Sequence, residues 1–207
     1  MSKSQIQAVP GAIRPESDRR PAAGPSSKAI GTIHRMLRSG TRSDHALIDG
    51  ILLGFDLTKV RDYELFLSIH AKSLQALAGV WRDEDGEDFQ AMLGLLRSDL
   101  ATLGSPTSAR CKRACIPASL GAGLGVAYVI RGSRLGAAFL RRTVPEAMPT
   151  SYLDFAPTLT WSDFLNHLEI LAGDPAAGQA AMAAARSTFA VFLCAADRCQ
   201  ELSGTPP

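Results

Sequence analysis

Residues 121–140, Gly-Ala-Gly-Leu-Gly-Val-Ala-Tyr-Val-Ile-Arg-Gly-Ser-Arg-Leu-Gly-Ala-Ala-Phe-Leu, set a condition that few folds meet. Their apolar content and lack of proline predict a helix. Each glycine inside a helix nonetheless costs about 1 kcal/mol relative to alanine. Gly121, Gly125, Gly132 and Gly136 fall near one angular position, because four and eleven residues are close to whole numbers of turns. The backbone is bare along that face. Something must press against it, either a second helix packed closely or a flat, bulky group. A membrane span with a Gly-x-x-x-Gly face is a poor alternative. The uncharged run stops at Arg131 and Arg134, short of the ~20 apolar residues a span needs.

A second segment carries the chemistry. On one continuous helix, Leu37, Thr41, His45, Ile48 and Leu52 share a stripe, with Asp49 one turn beyond His45. Arg38 and Arg42 lie on the same side. A lone histidine on an apolar stripe is most often a core residue with a satisfied hydrogen bond. The alternative is ligation: a neutral imidazole binds iron well, and a carboxylate one turn away can hold its second nitrogen. Nearby arginines can meet the carboxylates of a flat, largely apolar ligand. Together these features point to haem.

The two segments together resemble the haem oxygenase family. Leu37, Arg38, Thr41, His45 and Asp49 follow the pattern of its proximal helix, and residues 132–140 follow its distal helix in the bacterial form. Three further stretches are similar: Tyr63-Glu64-Leu65-Phe66-Leu67, Thr160-Trp161-Ser162-Asp163-Phe164-Leu165 and Ala184-Ala185-Arg186-Ser187-Thr188-Phe189. The likeness spans roughly residues 30–200 and is nearest to the bacterial enzymes, including those that supply biliverdin to bacteriophytochromes. It implies an all-α, single-domain haem oxygenase-like fold. It implies His45 as proximal iron ligand with Asp49 behind it, and Gly132, Ser133 and Gly136 on the distal face. Arg38, Arg42, Tyr128 and Arg186 would contact the haem propionates. Haem would be substrate and cofactor at once, cleaved at a meso carbon to biliverdin, carbon monoxide and ferrous iron. The implied partners are haem, O2 and an electron donor (a ferredoxin, a reductase or a small reductant), and a bacteriophytochrome or sensor kinase is a further candidate.

Two positions depart from the pattern. Arg131 stands where the bacterial form usually has an acid, and Arg134 where asparagine is common. The distal aspartate of the animal enzymes has no counterpart, and Ser133 takes roughly that place. The two cations can repel other cations, reach a propionate or face solvent. They keep two other readings open, a non-catalytic haem carrier or sensor on the same fold and a signalling partner of a sensor kinase.

Whole-chain features agree with an enzyme of one domain. The 207 residues are 46% hydrophobic, enough for a core, and a net charge of +2 offers no case for nucleic acid. The polar start has no secretory pattern, which leads us to expect a cytoplasmic protein without a membrane segment. Residues 1–29, with Pro10, Pro15, Pro21 and Pro25, read as a disordered Pro/Ser-rich tail before a domain over 30–203. A helix is expected to start near 27–30, with others over 62–80, 89–103, 161–171 and 178–202. Residues 82–88 read as a charged turn, and its acids Asp83 and Asp85 as solvated. Pro117 is placed in the first turn of the glycine-rich helix. No Val/Ile/Thr alternation suggests a sheet, so six to eight helices follow. Cys111 and Cys115, and Cys194 and Cys199, lack the Cys-x-x-Cys spacing and read as reduced thiols. His34, about 16 Å along the helix from His45, is the rival ligand. His70 and His167 read as core or helix-surface residues.

Overall fold

Capping chemistry sets the starts of three helices and the end of a fourth. The computed structural model describes residues 31–105 and 113–203. The tail expected over 1–29, the helix start expected at 27–30 and Cys111 lie outside them. Among the described residues there are eight helices and no strand: α1 Thr32–Gly40, α2 Arg42–Leu52, α3 Val60–Leu77, α4 Asp83–Thr102, α5 Leu120–Arg141, α6 Ser151–Asp154, α7 Trp161–Leu171 and α8 Pro175–Ser203. Ser119 caps α5 by accepting the Ala122 N–H at 3.1 Å, and Thr160 caps α7 by accepting that of Asp163 at 3.2 Å. The Asp174 carboxylate takes the amides of Ala176 and Ala177, each at 3.1 Å, with Pro175 opening α8. Helix α4 ends in a Schellman turn. Gly104 stands at φ 82°, and the Ser105 N–H reaches the Leu100 carbonyl at 2.9 Å.

Helices α3, α4, α5 and α8 enclose the core, which includes Tyr63, Phe66, Leu67, Leu74, Phe89, Met92, Leu96, Leu124 and Phe164. The fold is a single all-α domain. The expected helices over 62–80, 89–103, 161–171 and 178–202 correspond to α3, α4, α7 and α8. Pro117 does not sit in the first turn of α5, which starts three residues later behind the Ser119 cap. Residues Pro175–Cys199 of α8 are long and apolar enough to cross a membrane by length and composition, with a mean hydropathy of 1.3. Ala181, Ala184, Ala185 and Ala196 of that stretch are buried in the core, and the helix packs against α1, α2, α3 and α5.

The glycine face of α5 has two halves. Gly121 and Gly125 meet α8: a Cβ at Gly121 would strike the Ala177 carbonyl, and one at Gly125 the Ala181 carbonyl. There the close-packed helix is the answer. Further along, Gly132 has only the Trp161 ring edge at 3.6 Å, and Gly136 has nothing within 4 Å. Gly125→Ala is therefore expected to cost about 1–3 kcal/mol, since a carbonyl in a packed helix cannot step aside. Gly136→Ala should stabilise slightly through helix propensity. Urea unfolding of the two variants checks this, and equal tolerance would contradict the close approach of α5 to α8.

Two expectations about local structure are corrected. The stripe from Leu37 to Leu52 is not one helix, because α1 and α2 meet at a break at Thr41, φ −110° and ψ 6°. Gly40 is pressed against the Met182 side chain of α8, and a Cβ there would overlap it. Arg186 donates to the Gly40 carbonyl at 3.0 Å. The Thr41 hydroxyl donates to the Leu37 carbonyl at 2.8 Å.

Residues 82–88 are not a charged turn, because α4 begins at Asp83. Asp85 is buried, not solvated. Its carboxylate accepts from Arg82 Nε at 2.6 Å and from Arg131 Nε at 2.8 Å. Arg131, itself 3% exposed, also donates through Nη2 to Asp88 at 3.0 Å and through Nη1 to the Leu159 carbonyl at 3.2 Å. Asp88 also accepts from the Thr158 N–H and hydroxyl. Arg134 lies over the Tyr152 ring and donates to the carbonyls of Tyr152, Leu153 and Phe155 at 2.9–3.2 Å. Both arginines hold α5 to α4, α6 and the segment before α7.

Candidate functional site

Helices α1 and α2 face the second half of α5 across a cleft of about 890 Å³. That lies toward the upper end of the range for small-molecule sites. Phe66 and His70 of α3 and Phe189 and Phe192 of α8 line it, as does Trp161 of α7. Cleft-lining Leu53, Leu135 and Phe139 are 72%, 62% and 64% exposed. Apolar side chains left open in this way mark a surface that expects an apolar occupant.

His45 is not a core histidine. Its side chain is 60% exposed and lines the cleft, edge-on to Phe189 with centroids 5.7 Å apart. Its Nδ1 lies 2.8 Å from Asp49 Oδ2, one turn along α2. A carboxylate holds the proton of a neutral imidazole on Nδ1 and leaves the Nε2 lone pair for a ligand. Across the cleft stand Gly132, Ser133 and Gly136, so the α5 wall is bare backbone at its two glycines, between the side chains of Val129, Leu135 and Phe139. The Ser133 hydroxyl donates to the Ile130 carbonyl at 2.7 Å, which leaves its oxygen lone pairs as acceptors.

Arg38, Arg42 and Tyr128 line the same cleft. Among the described residues neither arginine makes an ion pair, so both guanidiniums are free for a ligand's carboxylates. Burial raises the Tyr128 phenol above its usual range, against the smaller opposing pull of Arg38. Arg186 is not among the cleft residues. It holds the Gly40 carbonyl and lies 3.7 Å from Asp44 Oδ2, behind the break that sets the angle between α1 and α2. Arg131 and Arg134 also stand outside the cleft, so neither faces a ligand there.

Sequence reasoning placed His34 as a rival ligand and His70 as a core or helix-surface residue, and left Phe192 unassigned; all three line the cleft. His70 is a buried residue whose Nδ1 donates to the Phe66 carbonyl at 2.8 Å. Burial, with Arg134 adding repulsion, pushes its imidazole down to about 4 against the pull of that hydrogen bond. The unfolded chain takes up this proton near pH 6.5 and the folded protein only near pH 4. Unfolding therefore absorbs a proton between those values, and stability falls as the pH drops through that window. The full loss is about 3 kcal/mol. His70→Phe should flatten the window, as urea midpoints at pH 7 and pH 4.5 would show; an unchanged slope would mean that another group carries it.

Among the described residues no three His, Cys, Asp or Glu side chains are grouped to hold a metal ion. His45 can serve a metal only as a single protein ligand, which fits a macrocycle that brings the remaining donors. The residues present fit such a group: a histidine with one free nitrogen, a facing helix bare at Gly132 and Gly136, apolar side chains around it and two guanidiniums without an ion pair among the described residues.

No protein-family model matches this sequence, and no curated protein matches it either. Similarity emerges in three dimensions. A solved structure of the haem oxygenase from Neisseria meningitidis, described in NO- and CO-bound forms, superposes with a TM-score of 0.60 at 21% identity. The match covers 86% of this chain and 94% of that one. The helices that build the cleft are thus arranged in the haem oxygenase fold.

Proposed function

We propose that this protein is a haem oxygenase and that the cleft between α1–α2 and α5 is its active site. The observation that carries the reading is His45, held by Asp49 and exposed, facing the bare backbone of Gly132 and Gly136. Bound there, haem supplies both an oxygen-activating iron and the ring that is opened, at a meso carbon, to biliverdin, carbon monoxide and ferrous iron. The chain's own residues position and shield. His45 would hold the iron through Nε2, and Asp49 would fix its tautomer and raise its basicity. Gly132 and Gly136 let the α5 backbone approach the ring face, and Ser133 offers a hydroxyl oxygen beside it. Arg38, Arg42 and Tyr128 receive the propionates. Phe66, Phe189 and Phe192 keep water from the ring. An external reductant is required.

Arg131 is buried and Arg134 part-buried, and both are spent on contacts to α4, α6 and the segment before α7 instead of lining the cleft, which favours the oxygenase reading over a carrier or a signalling protein. The test is to titrate the protein with haemin, then add a reductant in air. A Soret band that decays to a bilin spectrum, with carbon monoxide released, is the expected result. A band that persists under reductant and air would defeat the oxygenase reading, and absence of saturable binding would defeat any haem reading.

A further inference from the structure

The histidine that the iron does not need has its own surroundings in the cleft. His34 lies on α1, one turn before Arg38, and both line the cleft with Tyr128. Its ring stands edge-on to Tyr128 and to Trp161, with both centroids 6.0 Å away. Two aromatic rings thus bracket the imidazole at the cleft wall. The charged and titratable groups around it can be named element by element. Arg38 comes from its own helix and Tyr128 from α5. Glu169 comes from α7, and its carboxylate is committed to the backbone N–H groups of Ile33 and His34 at 3.1 and 2.7 Å. Helix α8 meets this end of α1 through Gly178, beside Ile33 and Met36. Arg42, His45 and Asp49 lie further along the wall on α2. The imidazole and the Arg38 guanidinium thus share one end of the cleft, and among the described residues neither forms a side-chain ion pair.

We propose that His34 is a carboxylate-binding residue: an acidic ligand docks between His34, Arg38 and Tyr128, and the imidazole takes up a proton from solvent as it does. This rests on the haem reading and names what sets ligand selection at that end. Burial first, then the Arg38 cation, hold the free imidazole below its usual range against the weaker pull of Glu169, so the unliganded protein keeps it uncharged near neutrality. A carboxylate reverses the balance by placing an anion against both groups. The bound state then has a charge-assisted pair where the free state has an uncharged ring. Binding of an acidic porphyrin becomes linked to uptake of one proton.

The experiment compares haemin with haemin dimethyl ester at pH 6 and pH 8, for the wild type and His34→Gln. Each dissociation constant comes from an absorbance titration. The preference for diacid over diester cancels whatever both porphyrins share, iron ligation included. In the wild type this preference should grow about fivefold or more from pH 8 to pH 6, one linked proton allowing up to about tenfold per pH unit. In His34→Gln it should stay level within about twofold, with the fold verified by circular dichroism; His34→Asn repeats the measurement in a second background. A level preference in the wild type, or one that still grows in both variants, overturns the assignment and leaves the haem reading intact. No saturable binding of either porphyrin overturns both.

Discussion

Arg131→Met is expected to lower stability by about 3–5 kcal/mol. Arg131 is 3% exposed, and Asp85 and Asp88 are 0% and 3% exposed. Removing the guanidinium leaves Asp88 facing only Thr158, and Asp85 only Arg82. The loss also strips two aromatic contacts, from Phe89 and Phe164 at 5.8 and 5.9 Å. The cost is that of stranding buried carboxylates, not of losing a strong pair. A triple variant, Arg131→Met with Asp85→Leu and Asp88→Leu, should therefore recover much of the loss. Lysine should not substitute, because a single ammonium cannot reach both carboxylates and the Leu159 carbonyl at once. Chemical denaturation measures each; a loss below about 1 kcal/mol for Arg131→Met would mean that water reaches the network. A protein with a margin of roughly 5–15 kcal/mol cannot lose so much without consequence in the cell. Arg131 therefore belongs to the fold and not to the chemistry of the cleft.

How far the sequence disclosed this molecule depended on where each partner lay. Helix α7 was readable because Thr160 and Asp163 form a cap within four residues. The glycine face of α5 was readable as a face, but not as two halves. Angular position is a local property, whereas the partners of Gly121 and Gly125 come from Ala177 and Ala181 of α8. The break at Thr41 was hidden for the same reason. Gly40 followed by Thr41 is tolerable inside a helix, and what opens the chain there is contact with Met182 and Arg186. Residues 82–88 misled most. A run of acids reads as solvated unless a cation is delivered to it, and Arg131 arrives from 43 and 46 residues away. His45 and Asp49 form a local i, i+4 pair, and their spacing was legible. Their exposure was not, because a stripe does not reveal whether a core or a cleft lies opposite.

That exposure shapes the sharpest functional expectation. His45→Ala should fold normally, since a side chain 60% exposed contributes little packing. It should nonetheless abolish the haem-dependent reaction, with turnover down at least about 100-fold, because no other group among the cleft residues is both exposed and braced by a carboxylate. Asp49→Asn should fall between, roughly 10–100-fold weaker in haem affinity, as losing the partner of a metal-bound imidazole usually is. The open position makes a chemical rescue available: imidazole added to His45→Ala can enter the space that the ring vacated and restore the Soret band. His34→Ala should keep that band, since His34 is clamped between Tyr128 and Trp161 at the basic end of the cleft. If instead His34→Ala loses the band and His45→Ala keeps it, the axial ligand has been assigned to the wrong histidine, and with it the orientation of the ring between α2 and α5.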